Sequence, residues 1–346
     1  MIIDAYAHIG FPRYGTPEQL ISIWRQWGIE KGCIALPPGM PDFAGLGRAR
    51  TALGEDVRLF GIPYGADEAL RRELAEIQIR FGIAGMRLMP REMLENPQVL
   101  AALGDAGLCL MAINVYESTE LIRTMIDWLE NYPRGTIAAP HFLRTSSIDG
   151  DACRPGVADP AAFRDLLRHP RMHAIFSRHG GASAQPDPHD DLRPWVDDVL
   201  PLLSWDRVMW GSEIPVIYHR DEQVDQARDW LVRLGVSMDA AEESAYLSGN
   251  AERLFFSRPA PTAEDVTFPS WVDAGLSGFI EANGPVPVIR SRPLELPLDL
   301  HGRLMSDYVA WQFDHPEASF QEWLVAELPE RFGQGRSREN PARGSG

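Results

Sequence analysis

Eight short apolar runs recur along the chain, each followed by an amphipathic or polar stretch, and this alternation restricts the fold more than any other feature. The runs cover residues 2–8, 32–36, 57–63, 82–89, 108–115, 136–141, 172–177 and 207–211. Several lack the in–out alternation of a half-exposed strand. Continuous apolar strands point to a sheet buried on both faces, as parallel sheets are. The intervening stretches read as helices. Thr16-Pro17-Glu18-Gln19 offers an N-cap, a proline at the first helical position and acid in the first turn. Residues 66–81 carry Leu70, Leu74 and Ile77 at helical spacing, and 118–131 and 159–168 repeat the theme, the last opening on Asp159-Pro160. Eight such units, closing near residue 255, predict an α/β protein with a (β/α)8 TIM barrel. An open doubly wound sheet is the alternative. The dinucleotide-binding form of that fold lacks its signature, because no GxGxxG follows the first strand.

The barrel is expected to span residues 1–256. Residues 257–332 read as a mostly helical C-terminal extension that packs on it as a lid or dimer contact. Its segment 257–297 is rich in Pro, Ser and Gly, without periodicity. Leu304, Tyr308 and Trp311, then Phe320, Trp323, Leu324 and Leu328, predict two short amphipathic helices. Residues 333–346 read as a disordered tail.

Charge narrows the partners. The 346 residues include 33 Lys+Arg and 49 Asp+Glu, a formal net charge of −16. That balance argues against a phosphate backbone or an anionic lipid surface as partner. No apolar run approaches the roughly 20 residues of a membrane span. The expected partner is a small-molecule substrate, with a homodimer as the expected assembly and no nucleic acid or membrane. Lys31 is the sole lysine and reads as part of a surface turn, a poor position for Schiff-base chemistry. Cys33, Cys109 and Cys153 match no zinc or CxxC spacing and read as reduced thiols. The N-terminus shows no secretory signal, so a cytoplasmic protein is expected.

In a barrel the reactive groups stand where strands end. The first run ends in Tyr6 and His8, two residues apart and therefore on one side of the strand. Later runs end in Arg87, in Asn114 and Tyr116, in His141, in Ser177-Arg178-His179, and in Ser212-Glu213. Any one of these is ordinary. Six polar ends converging on one rim are harder to explain as packing. The loop 180–188 reads as a mobile segment beside the rim. Asp187, His189, Asp190 and Asp191 read as a polar loop ahead of a helix rather than a second metal site. Ser212 lacks the GxSxG elbow of a serine hydrolase.

These pieces, in this order, resemble the amidohydrolase superfamily, and within it the amidohydrolase-2 branch that includes sugar-lactone hydrolases and the pyrone-dicarboxylate lactonase. Asp4-Ala5-Tyr6-Ala7-His8 resembles the family's Asp-x-His-x-His. Gly28-Ile29-Glu30-Lys31 is similar to its turn before the second strand, and Gly85-Met86-Arg87 to its Gly-Ile-Arg strand. His141 stands where the sixth-strand histidine stands. Asp206-Arg207-Val208-Met209-Trp210-Gly211-Ser212-Glu213-Ile214-Pro215 is the nearest match, and Gly249-Asn250-Ala251 with Phe255 is similar to the closing motif.

The departures matter as much. Tyr6 replaces the first histidine, Glu213 replaces the usual aspartate, and Ile113-Asn114-Val115 stands where zinc decarboxylases of the branch carry a fifth-strand histidine. The resemblance implies a hydrolase that opens a lactone or ester of a small acidic metabolite. Glu213, His141, His8 and Tyr6 are the expected catalytic residues. His8, His141 and Glu213 are the expected ligands of one divalent metal, zinc or manganese, if the chemistry uses one; a metal-free lactonase is the alternative. Arg87, Asn114, Tyr116, Ser177, Arg178 and His179 are the expected substrate-side residues. Two other readings stay open: a lyase or decarboxylase on the same scaffold, and a pseudoenzyme with a binding role.

Overall fold

The computed structural model describes residues 1–10, 14–183, 185–217 and 222–283. All eight apolar runs become strands: β1 (Ile3–His8), β2 (Lys31–Ala35), β3 (Val57–Gly61), β4 (Gly85–Leu88), β5 (Cys109–Ala112), β6 (Thr136–Ala139), β7 (Met172–Phe176) and β8 (Val208–Trp210). They pair in parallel, in chain order. The seam between the last and first strands is closed by residues just past β8. Glu213 N–H donates to Tyr6 O at 2.8 Å, and His8 N–H donates to Ile214 O at 2.8 Å. The sheet is thus the (β/α)8 barrel that the alternation predicts.

Helices form where the caps announce them. In α1 (Pro17–Gln26) Thr16 accepts from Gln19 N–H, and the Gln19 side chain returns to Thr16 N–H. In α3 (Glu68–Phe81) Asp67 caps the start, and Gly82, left-handed at φ 87°, ends it. Ser118 caps α6 (Thr119–Asn131), and Asp159, with Pro160 behind it, caps α7 (Pro160–Arg168). The remaining helices are α2 (Phe43–Leu53), α4 (Pro90–Glu95), α5 (Pro97–Ala106), α8 (His179–Ala182), α9 (Arg193–Leu203), α10 (Val224–Arg228), α11 (Trp230–Arg233), α12 (Ala240–Ser244) and α13 (Ser270–Asn283).

Two cores follow from this layering. One lies inside the barrel, where Ile3, Ala5, Tyr6, Phe60, Met111 and Ile175 meet, with Phe255 and Phe256 against its amino end. The larger one lies between the strands and the helical ring. Tyr6 reaches the inside because β1 breaks register between Asp4 and Ala7.

Three expectations are corrected. Lys31 is the first residue of β2 rather than a surface turn, and it is ion-paired with Glu252 at 3.0 Å. The segment beginning at residue 257 contains α13, which the proline and glycine around it concealed. Its Val272 is buried, Trp271 stacks on Tyr64, and the preceding Phe268 stacks on Phe43 at 4.4 Å. The loop expected at 180–188 begins as one helical turn, α8. The helices expected around Leu304–Leu328 and the tail from Gly333 lie outside the described residues. No helix of the described residues is long and apolar enough to cross a membrane.

Candidate active site

The carboxyl ends of β1, β4, β5, β6, β7 and β8 bring the predicted polar residues to one rim. The chain leaves four of these strands through non-glycine residues of positive φ: Asn114 at 49°, His141 at 55°, Arg178 at 66° and Glu213 at 55°. That conformation is costly for L-residues and clusters at functional sites. Each such turn sets the direction in which its side chain leaves the sheet.

His8, His141 and Glu213 converge beneath the rim. Their donor atoms lie within 4.8 Å of one another, and all three residues are buried. His8 Nδ1 sits 2.7 Å from Ala35 O, a carbonyl that only accepts, so this nitrogen carries the proton and Nε2 keeps its lone pair. Burial, reinforced by Arg87, pulls the His8 pKa down to about 3. His141 is likewise pulled below the ordinary imidazole value by burial, against the opposing pull of Glu213. Both rings are therefore neutral, the state in which imidazole binds a metal.

His141 Nε2 lies 2.7 Å from Glu213 Oε1, so the two side chains meet as a close buried pair. Two neutral imidazoles and a carboxylate whose donor atoms converge in this way are a ligand set for a divalent cation.

Tyr6 does not join that set. Its ring packs edge-on to His8 and His141, with centroids 4.7 and 5.1 Å away. Its hydroxyl accepts a hydrogen bond from Arg87 Nε at 2.7 Å. Burial holds the phenol at about 12, so it stays neutral and serves as a fixed anchor for the guanidinium. Arg87 is buried, and its Nη1 has no partner among the described residues.

A cavity of about 300 Å³ reaches these groups at Arg87 and His141. Arg87, Asn114, Tyr116, His141 and Arg178 all line it. Arg178 Nη1 is 3.9 Å from Glu213 Oε1. Tyr116 donates to Asn114 Oδ1 at 3.2 Å, while Asn114 Nδ2 donates to Glu117 at 2.6 Å, so the two residues brace one wall. Two predicted substrate-side residues stand elsewhere. Ser177 is fully buried behind His141, and its Oγ accepts the His141 N–H at 3.0 Å. His179 packs on Trp230, ring centroids 4.5 Å apart, and lines a separate cavity on the other face of α8.

Sequence reasoning gave Asp4 no role of its own. Its fully buried carboxylate accepts from Tyr6 N, Ser212 N, Ser212 Oγ and Trp24 Nε1 at 3.1, 2.9, 2.5 and 3.0 Å. It ties the first strand to the turn that presents Glu213. The signal for it was present: an acid at the second position of a strand buried along its whole length needs partners.

A family model described as amidohydrolase matches residues 49–256. Among curated protein sequences, none matches this chain. Similar solved structures include an amidohydrolase of Burkholderia multivorans with bound zinc, 16% identical, with a TM-score of 0.57 over 75% of this chain and 100% of that one. A probable 2-pyrone-4,6-dicarboxylic acid hydrolase of Acinetobacter baumannii, with citric acid bound, is 16% identical, with a TM-score of 0.57 over 73% and 98%. An apo protein of Agrobacterium tumefaciens is 19% identical, with a TM-score of 0.54 over 75% and 97%. Likeness at these identities is likeness of fold.

Proposed function

The chain belongs to the amidohydrolase family, and on that premise we propose that it hydrolyses a lactone or ester in a small molecule bearing carboxylate groups. The observation that carries this reading is the cavity itself. It places two guanidiniums, Arg87 and Arg178, beside His141, whose Nε2 in turn meets Glu213. Arg87 is buried with a donor to spare, and a guanidinium fork suits a planar carboxylate.

In this reading Arg87 and Arg178 hold the substrate's carboxylate, and Tyr6 fixes the angle of Arg87. Glu213 takes a proton from water as the water oxygen bonds to the carbonyl carbon. The carbonyl carbon–oxygen single bond then breaks, and the proton passes to the leaving oxygen, giving an acid and an alcohol. His8, His141 and Glu213 would hold one divalent cation, zinc or manganese. Such an ion supplies Lewis-acid polarisation and a lowered pKa for water. An activated ester asks less of this machinery than an amide does. The Acinetobacter neighbour, a probable 2-pyrone-4,6-dicarboxylic acid hydrolase, makes a carboxylated pyrone a natural first member of the substrate panel.

The test is Glu213→Gln, assayed on a panel of carboxylated lactones that includes 2-pyrone-4,6-dicarboxylate, following both acid release and carbon dioxide. Turnover is expected to fall by about a thousandfold, with the far-ultraviolet spectrum of the fold retained. Near-normal turnover in the variant would sink the mechanism. Carbon dioxide without ring opening would replace hydrolysis by decarboxylation.

A further inference from the structure

The opposite end of the barrel holds a second cavity, of about 640 Å³, at the amino ends of the strands. Arg58, Arg134, Arg171, Arg253, Arg258 and His173 line it, and no Asp or Glu does. Five guanidiniums around a hollow without carboxylates are unexpected in a chain of net charge −16.

Part of this arrangement is structural. Arg58 donates to the carbonyls of Phe255, Glu55, Val57 and Arg258. Arg171 donates to those of Tyr132, Gly135 and Leu129 at the end of α6. Arg134 reaches Asp105 O, and Arg253 reaches Asp206 O and Asn250. Carbonyls of helix ends and turns are satisfied in this way. Arg207 shows the same device outside the cavity, donating to Leu167, His169, Met172 and Leu202.

Capping does not account for the rest. A neutral carbonyl holds a guanidinium without neutralising it. Glu55, 3.6 Å from Arg58, is the one ion-pair partner of the five among the described residues. The Arg258 guanidinium makes no hydrogen bond there at all. His173, which is also buried, has an Nδ1 without a partner.

We infer that this amino-end cavity is a binding site for a small polyanion bearing phosphate or carboxylate groups, separate from the active site. Arg58 and Arg171 are already fixed by their carbonyl partners, so little conformational entropy is lost when an anion arrives. Arg134, Arg253 and Arg258 form the exposed rim that draws it in.

Calorimetric titration of the full chain at low ionic strength, with inorganic pyrophosphate and separately with tricarballylate, tests this. Saturable binding of at least one probe is expected at or below about 1 mM. Which probe binds more tightly tells phosphate from carboxylate recognition. Arg134→Ser/Arg258→Ser is expected to weaken that binding about tenfold or more, whereas Arg178→Ser, at the other end, leaves it intact. Arg258→Ser alone removes no hydrogen bond and so keeps the test valid if the double variant folds poorly. No saturable binding, or binding lost only in Arg178→Ser, would overturn the inference.

Discussion

Asp4 and His173 are both buried ionisable groups, and they pull stability in opposite directions with pH. Burial raises Asp4 from its ordinary 3.8 to about 6, against four hydrogen bonds that favour the anion. Its contribution is therefore complete below pH 3.8 and is lost as pH rises through 6. Burial, then Arg207 and Arg253, lowers His173 from 6.5 to about 4. The unfolded chain takes that proton first, so the His173 contribution is complete above pH 6.5 and is lost as pH falls towards 4. Between these limits the two slopes oppose each other in the native protein and show only by difference. Relative to the native chain, His173→Gln is expected to gain about 1.4 kcal/mol per pH unit as pH drops from 6 to 5. Urea midpoints at pH 7, 6 and 5 measure it. Parallel curves for the two proteins would mean that His173 is not held neutral.

At the scale of elements, the informative features are the strand ends. Arg178 turns the chain from β7 into α8 at φ 66°, a conformation that costs an L-residue about 1–2 kcal/mol. Glycine escapes that cost and alanine does not. Arg178→Gly is therefore expected to be about 1 kcal/mol more stable than Arg178→Ala, while both lose affinity for a carboxylate substrate. Equal stabilities would show that the turn is not strained. These turns also explain what the sequence could and could not say. The strands were legible because both their faces are apolar, and the helix starts because Thr16, Ser118 and Asp159 are N-caps. The expected strands ran long, 108–115 against Cys109–Ala112, because the last apolar residues leave the ladder to make the turn. Nothing in the letters His141 or Glu213 announces a positive φ. Once the chain leaves the strand, alternation no longer gives direction, which is why Ser177 and His179 were expected in the cavity beside Arg178. The shift in β1 that turns Tyr6 inward has no glycine or proline to mark it.

For the molecule as a whole, the proposed catalytic groups and the closure of the barrel are one structure. His8, His141 and Glu213 come from β1, β6 and β8, and a cation held by them would fasten the seam from inside. Protein purified without chelator is expected to carry close to one zinc or manganese per chain by elemental analysis. Stripping the ion is expected to lower stability by about 3 kcal/mol when the ion was present near a hundred times its Kd. Metal-free protein that takes up none on soaking would leave Glu213 as the sole means of activating water. The seam has one more consequence, in the order of synthesis. Tyr6 and His8 meet Glu213 and Ile214 across some two hundred residues of chain. A ribosome that has finished β7 and the turn after it has made His8, His141, Arg87 and Arg178, yet the sheet still has two open edges and Glu213 has not been translated. A fragment that stops there lacks the proposed base, so on the proposed mechanism hydrolysis itself would certify that the barrel was read through and shut.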